Sequence, residues 1–579
     1  MIAALHQPAR WTTVLLVLGL LSAACGGGGG EEPGEAAATA GSGGTELGGD
    51  GGGTPDGGGG GSAAAEGGTV VFGADQEPDI LNGDLTAGNL LATSIVTTPM
   101  FAGAYVTTPD FEYVPDVIEG EAEVTEDPFT VTYRIKEEAA WSDGTPITAD
   151  DFEFTWQTKV NPDYDITSRT GYELITSADK PDDKTITFTF SETFASYRTL
   201  FNTTDGNGVL PAHALEGEDF NGVWADAVMN PKTGEPIASG PFIFESWNAG
   251  QDLTIVRNDS YWGDPAGFDR IVFRFLEDSN TQVQALRGGE IDMMYPQPQL
   301  DLVDQLETID GITVQISAGT VYEHLDFNYA VPPLDQRFVR EAIALGIDRQ
   351  AILEAVITPI QPDAEVLQSV IYVPNQEQYE PHFDQYQYDP EAAMALLEEN
   401  GCTREGEGNF VCDGTELVFD YTTTAGNEAR ELQLQVAQAQ LAEIGIGINA
   451  ATGPAADVLG TDLPNGPQGA WELINFAWVA SPDPVGNIAI FTCDGTQNYQ
   501  SYCNEEVTDK LLRTNGLIDE AERAALFNEL DADMAADLPL LPLYQKPTLF
   551  AFNSSITGAE DNPTNQGPTW NAGEWALTQ

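Results

Sequence analysis

The sequence predicts an α/β fold divided into two or three subdomains. Between Ala238 and Met294 the apolar pattern changes repeatedly between strand and helix periodicity, with turn-forming residues at the changes. The chain has 579 residues, more than one hydrophobic core normally covers, and 41% of them are apolar. Several cores can therefore be filled.

The 238–294 segment is the most regular part of this pattern. It predicts a β-hairpin, a third strand, a helix stopped by two glycines and a returning strand, which together make one β-α-β crossover. The predicted elements are strands at Phe242–Trp247, Leu253–Arg257 and Arg270–Leu276, a helix capped by Ser279 or Asn280 and ending at Gly288 and Gly289, and a strand at Ile291–Met294.

Charge is strongly unbalanced along the chain. There are 92 acidic against 22 basic residues, which gives a formal net charge of −70. Nucleic acid and anionic membrane surfaces are therefore not expected as partners. The acidity indicates either a solvated surface suited to salty surroundings or a field that draws cationic solutes, and composition does not separate the two.

The first 68 residues read as an export and attachment segment. Residues 1–25 form a predicted signal peptide, with an apolar run from Trp11 to Ala24 that is too short to span a bilayer comfortably. Small residues directly before Cys25 resemble the lipobox of bacterial lipoproteins, which implies lipidation of that cysteine, although Ser22 stands where the lipobox usually has Leu, Val or Ile. Residues 26–68 are rich in glycine and poor in large apolar side chains, so they predict a disordered tether.

The remaining cysteines form two close pairs. Cys402 with Cys412 and Cys493 with Cys503 are each ten residues apart. In an exported protein the simplest outcome is two local disulfides, and free buried thiols are the alternative. Neither pair has the spacing of a zinc or thioredoxin site.

No catalytic motif stands out. The sequence contains no Gly-x-Ser-x-Gly elbow, no phosphate-binding Gly-Lys-Ser/Thr loop and no His-Glu-x-x-His. Beyond the signal peptide the histidines His213, His324 and His382 are scattered singly, so neither a metal centre nor a cofactor is expected.

Several longer motifs carry a family resemblance. They comprise Ser239-Gly240-Pro241-Phe242, the series Leu253, Arg257, Asn258, Tyr261, Trp262 and Gly263, then Gly289-Glu290-Ile291-Asp292, Asp143-Gly144-Thr145-Pro146, and Phe327-Asn328 followed by Ile347-Asp348-Arg349. In these motifs the chain resembles the extracytoplasmic solute-binding proteins of ABC importers, family 5, the branch with oligopeptide-, dipeptide- and nickel-binding members.

The resemblance implies a two-lobed periplasmic-binding-protein-like fold with an extra subdomain and a hinge of crossing strands near 317–326 and 540–550. The implied division is lobe I at 69–105, 235–318 and 545–579, an extra subdomain at 106–234, and lobe II at 319–544.

The resemblance also implies a set of ligand-binding residues. Peptide-binding relatives carry a tryptophan matched by Trp478 and, three positions later, an aspartate that pairs with the peptide's α-amino group. Ser481 occupies that place here, and Asp483 could substitute only if the loop is rearranged. The expected contacts are Trp478, Ser481, Asp483, Tyr499, Asn82, Asn328 and, on the crossing strand, His324.

The expected function is therefore capture of an extended solute, with oligopeptide as the leading class, and delivery to ABC permease subunits. N-blocked peptides, opines, oligosaccharides and metal chelates are the alternative ligands. A secreted hydrolase and a sensory protein using the same fold are the alternative functions. We expect an extracytoplasmic, lipid-anchored monomer on the outer face of the cytoplasmic membrane.

Overall fold

The structure is a computed structural model that describes residues 67–578. The predicted signal peptide, Cys25 and all but the last two residues of the predicted tether lie outside the described residues. Among the described residues no helix has the length and apolar character needed to cross a membrane.

Strands and short helices alternate along the described chain. The strands are β1 (Thr69–Ala74), β2 (Tyr105–Thr107), β3 (Tyr113–Pro115), β4 (Glu123–Glu126), β5 (Phe129–Arg134), β6 (Ile175–Asp182), β7 (Thr185–Phe190), β8 (Phe242–Asn248), β9 (Asp252–Arg257), β10 (Arg270–Phe275), β11 (Met293–Met294), β12 (Ile312–Phe327), β13 (Thr403–Arg404), β14 (Phe410–Cys412), β15 (Thr415–Glu416), β16 (Val418–Thr424), β17 (Gly447–Gly453), β18 (Leu473–Val479), β19 (Leu540–Asn553), β20 (Ile556–Thr557) and β21 (Ala576–Leu577). The α-helices are α1 (Leu91–Thr97), α2 (Ala149–Lys159), α3 (Ala212–Leu215), α4 (Ser279–Gly288), α5 (Leu300–Glu307), α6 (Arg337–Gly346), α7 (Arg349–Val356), α8 (Pro390–Glu399), α9 (Glu428–Glu443), α10 (Ala455–Asp457), α11 (Asn487–Phe491), α12 (Glu505–Thr514) and α13 (Glu520–Asp537).

One ten-stranded sheet runs through the molecule in the order β17-β16-β18-β12-β19-β11-β1-β10-β9-β8. Its middle consists of the two long strands β12 and β19, which pair antiparallel over most of their length. A large core that includes Phe72, Phe273 and Phe550 lies on the β1 side, and a second core that includes Phe327, Leu441 and Leu541 lies on the β16 side. We call the half built on the first core the first lobe and the half built on the second core the second lobe.

Residues 123–190 contribute a separate four-stranded sheet, in the order β4-β5-β7-β6, against which α2 packs. Aromatic side chains fill the space behind this sheet, with the rings of Phe188 and Phe201 stacked at 5.3 Å between centroids. These residues belong to the same continuous core as β1 and β10. The added sheet is therefore packed firmly against the first lobe.

The predicted β-α-β crossover is confirmed. β10 and β11 both pair parallel with β1, and α4 connects them. The predicted cap was wrong by one residue, because Asp278 precedes the helix and its carboxylate accepts a hydrogen bond of 2.7 Å from the Thr281 backbone N–H. Gly289 ends the helix with φ 69°, a left-handed conformation that favours glycine.

Local sequence signals account for the starts of other helices. Thr148 and Asp151 form a capping box at the start of α2. Asp389 caps α8, and Asn427 caps α9. The crossing strand expected near 317–326 is part of the longer β12, which begins at Ile312 because its first half pairs with β19 in the first lobe.

The cysteine pairs Cys402–Cys412 and Cys493–Cys503 are both disulfide-bonded. Cys402 and Cys412 are buried in the second core, where they join the end of α8 to the small sheet of β13 to β15. Each bond closes a loop between cysteines ten residues apart in the second lobe.

Candidate ligand-binding site

A cavity of about 350 Å³ lies where the crossing strands meet the loops of the first lobe. Its volume is in the range of small-molecule sites. Glycines, prolines, hydroxyl groups and amides form most of its wall, and Val479 is contributed by the second lobe. The wall is built from residues within 83–97, 204–206, 295–298, 319–321, 546–549 and 563–565.

Lys546 is the one charged side chain among the residues that line this cavity. It lies on β19 and its side chain is 25% exposed. Its ammonium nitrogen is 3.8 Å from Oε1 of Glu323, on the neighbouring strand β12. Burial lowers the pKa of Lys546, and the nearby Glu323 carboxylate opposes that shift.

Glu323 is already engaged by another cation. Arg430 donates two hydrogen bonds from Nε, both 3.1 Å, and one of 3.0 Å from Nη2 to the carboxylate. Asn475 adds a hydrogen bond of 3.3 Å to Oε2. Glu323 is 1% exposed, so one buried carboxylate faces two cations at the edge of the cavity.

An irregularity in the β12–β19 ladder shapes this wall. The pairing shifts between Ala318, opposite Pro547, and Tyr322, opposite Gln545. The residues 319–321 thus bulge past Lys546, and Pro547 has no N–H to donate to the ladder. Gly319 is required here, because a Cβ at this position would lie 2.5 Å from the Lys546 carbonyl oxygen.

Three of the predicted ligand residues do lie together, in an aromatic stack of the second lobe. The Trp478 indole is parallel to the rings of His324 and Tyr499, each at 6.2 Å between centroids. Trp478 and Val479 are adjacent in β18, so their side chains point to opposite faces of the sheet. The cavity reaches Val479, and the indole packs on the other face.

His324 is fully buried and its Nδ1 lies 2.7 Å from Oδ1 of Asp326. Burial raises the pKa of Asp326, and the imidazole opposes that rise. His324 therefore has an internal partner and does not line the cavity.

Asn82 and Asn328 also have internal partners. Both are 0% exposed. The Asn82 amide donates to the Val223 carbonyl over 3.3 Å, and the Asn328 amide donates to the carbonyls of Gly466 and Trp471 over 2.8 and 2.7 Å. Each fixes a loop, and the neighbours Gly83 and Gly88 line the cavity in place of Asn82.

The two polar residues after Trp478 differ in their surroundings. Ser481 is exposed, and its carbonyl accepts a hydrogen bond from Gln376 over 3.3 Å. Asp483 is buried and forms a two-point ion pair with Arg523, at 2.7 and 2.8 Å. In this conformation the Asp483 carboxylate is not available to a ligand amine.

Comparisons with known proteins identify the family of the chain. Residues 112–500, more than half of the chain, match the family model of the bacterial extracellular solute-binding proteins, family 5. The chain belongs to this family.

Two relatives share more than a quarter of their aligned residues with the chain. The oligopeptide-binding protein OppA of Mycobacterium tuberculosis is 28% identical over 440 residues, which cover 74% of this chain and 71% of that protein. The structure of a periplasmic EDTA-binding protein, EppA, is 28% identical with a TM-score of 0.81, covering 90% of this chain and 98% of that one. The structure of AppA from Bacillus subtilis, in complex with a nonapeptide, shares the fold at 22% identity and a TM-score of 0.71.

As a family 5 solute-binding protein, the chain is a transport protein and not an enzyme. It captures solute outside the cytoplasm for an ABC importer.

Lys546 was not among the predicted ligand residues, although it lies in the crossing strand expected near 540–550. The signal was present, since Lys546 is one of only 22 basic residues and is followed directly by a proline within a strand. Arg523 was also missed, because nothing in the helical pattern of α13 indicates that it reaches Asp483.

Proposed function

We propose that this family 5 protein captures a short, extended oligopeptide in the cavity at the crossing strands and delivers it to an ABC permease. The observation that carries the proposal is the wall of the cavity. Apart from Lys546, its residues are uncharged, and many are glycine or proline. Main-chain groups and small side chains of the protein suit ligands of variable sequence, because they bind the ligand backbone and make no specific contacts with the ligand side chains.

The ion pair between Asp483 and Arg523 refines this proposal. Ser481 replaces the aspartate expected for the α-amino group, and Asp483 is held by Arg523. Since Asp483 is not available, we do not assign it an amine-binding role. The proposal therefore predicts that peptides with a free and with an acetylated N-terminus bind alike.

The experiment starts from the natively exported protein. Native mass spectrometry identifies the solute that remains bound, and a thermal-shift titration with pooled peptides of three to five residues measures its effect on stability. Peptide at 100 times its dissociation constant should stabilise the native state by about 2.7 kcal/mol. If the pool gives no shift, the peptide assignment fails.

A metal chelate is the second candidate ligand. The similarity to the EDTA-binding protein EppA covers 90% of this chain, and the lone lysine in the cavity favours an anionic solute. Shifts with Fe(III)-EDTA but not with the peptide pool would establish this alternative.

We further propose that the protein acts as a monomer anchored through lipidated Cys25, which lies outside the described residues. The supporting observation is the apolar run, followed by small residues and a cysteine, followed by a glycine-rich segment. A tether of about 43 residues has a root-mean-square span of roughly 35–40 Å, enough for the folded part to reach a permease beside the anchor.

A further inference from the structure

Lys546 differs from the other wall residues in its charge. It is one of 22 basic residues in a chain with a net charge of −70, and it is the one charged side chain that lines the cavity. A cation at this place is costly, because burial disfavours the charged form. A nearby anion would offset this loss of hydration of the ammonium group.

Glu323 supplies only part of that compensation. Its carboxylate accepts three hydrogen bonds from Arg430 and one from Asn475. The Lys546 nitrogen is 3.8 Å away, beyond hydrogen-bond distance. Two cations thus share one carboxylate, which leaves one excess positive charge at the cavity wall.

Acidic groups on the first-lobe side do not supply the missing anion. Asp561 is 4% exposed and accepts a hydrogen bond from the Thr548 hydroxyl, and Asp84, which follows the wall residue Gly83, is paired with Lys159. Burial raises the pKa of Asp561, and hydrogen bonds from neighbouring hydroxyl groups oppose that rise. Among the described residues, no hydrogen bond joins the Lys546 ammonium to an acceptor.

The local backbone is irregular beside Lys546. The bulge at 319–321 separates β12 from β19 there, and both sides of the bulge line the cavity. Bulges are common next to binding sites, where they change the direction of side chains. The side chain stays 25% exposed although the residues 540–545 are buried.

We propose that the Lys546 ammonium binds a carboxylate of the captured solute, so that the site selects ligands with a free carboxylate. This proposal rests on the proposed function and names its specificity. The chemistry fits both the C-terminal carboxylate of a peptide and a carboxylate of a polycarboxylate chelate. The ion pair would complete a cluster of two cations and two anions in a site of low dielectric.

The test uses a pool of peptides of three to five residues made in two forms, one with a free C-terminal carboxylate and one with a carboxamide. Dissociation constants are measured by titration calorimetry for the wild-type protein, Lys546→Met, Lys546→Arg and Lys232→Met. Lys232 is exposed and does not line the cavity, so Lys232→Met makes the same change in net charge without altering the cavity wall. Fe(III)-EDTA is titrated in parallel.

The expected result is that the wild type and Lys232→Met bind the carboxylate pool about tenfold or more tightly than the amide pool. Lys546→Met loses this preference, and Lys546→Arg keeps most of it. The wild-type comparison of the two pools needs no variant, so it remains decisive if Lys546→Met does not fold.

The other outcomes separate the two proposals. Equal binding of both pools by the wild type, or an unchanged preference in Lys546→Met, overturns the role of Lys546 and leaves peptide capture intact. Binding of Fe(III)-EDTA alone, weakened by Lys546→Met, overturns peptide capture and supports Lys546. If neither solute binds, both proposals fail.

Discussion

Ser196 of the first lobe donates a hydrogen bond of 3.0 Å from its hydroxyl to Oδ1 of Asp483 in the second lobe. Arg523 lies against both residues, since one of its amino groups donates to the Ser196 oxygen at 2.6 Å and to Asp483 at 2.8 Å. The adjacent backbone N–H of Ala195 donates to the Asn515 carbonyl over 2.9 Å. These contacts join residues 195–198 to the second lobe, and we call them the interlobe clasp.

The clasp predicts a measurable effect on closure. Ser196→Ala removes the first-lobe partner but leaves the Asp483–Arg523 pair intact within the second lobe. We expect a loss of about 1 kcal/mol of closure free energy and weaker solute binding, with little change in the folding of either lobe. Small-angle scattering should show a larger radius of gyration without ligand, and Ser177→Ala, at an exposed site on β6, should show none.

Asp483→Asn should have a larger and different effect. It leaves the Arg523 guanidinium buried without its carboxylate, which costs about 3–5 kcal/mol where both partners are fully buried. Chemical denaturation should therefore report a loss of second-lobe stability. An unchanged unfolding midpoint would show that the ion pair contributes little.

The disulfide Cys402–Cys412 should stabilise the second lobe. Replacing both cysteines with serine should lower the free energy of unfolding by about 2–3 kcal/mol, because a short loop is no longer closed in the unfolded chain. Peptide mapping without reductant checks that both pairs form in the exported protein. Free thiols at either pair would contradict the structure there.

Asp531 predicts a specific pH dependence. It is fully buried, accepts a hydrogen bond from the Val370 N–H, and burial raises its pKa from 3.8 to about 7. Since the native pKa is the higher one, its contribution to stability is fully present below pH 4 and is lost as the pH rises to about 7.

Asp531→Asn should remove this decrease in the free energy of unfolding with rising pH. The slope that one group can contribute is at most about 1.4 kcal/mol per pH unit. The measurement is chemical denaturation of both proteins between pH 4 and pH 8, with exposed Asp310→Asn as the control. Parallel profiles for wild type and Asp531→Asn would show that Asp531 stays ionised throughout.

Cys25 gives a prediction about location. Cys25→Ser should release the protein into the medium, because one lipid-modified cysteine is the proposed attachment. Fractionation with immunoblotting checks this, and Cys493→Ser, which leaves the proposed anchor intact, is the control. Membrane retention of the Cys25→Ser protein would contradict the lipid anchor.

Local signals explain how much the sequence could predict. Some elements depend only on residues within a few positions of each other, so the sequence indicates them directly. They include the capping box of Thr148 and Asp151, the hairpin before β10 and the cap at Asp389. The cavity is different. Lys546, Gly319 and Val479 come together only through the pairing of three strands, and a register shift that no periodicity reveals decides which side chain points into it.

The aromatic residues show the same limit. Trp478, His324 and Tyr499 were predicted as ligand contacts, and the structure places them in one aromatic stack. The strand pattern alone could not tell which face of β18 meets the cavity, because both of its faces carry buried apolar side chains. Asn82 and Asn328 were expected at the ligand, and the structure uses their amides to fix loops.

Hydrogen–deuterium exchange with and without the bound peptide pool reports where on the protein the solute is held. We expect slower exchange in 83–97, 295–298, 319–321 and 546–549, the segments that form the cavity. Protection confined to other parts of the chain, such as the second hollow around 145–157 and 212–216, would contradict it.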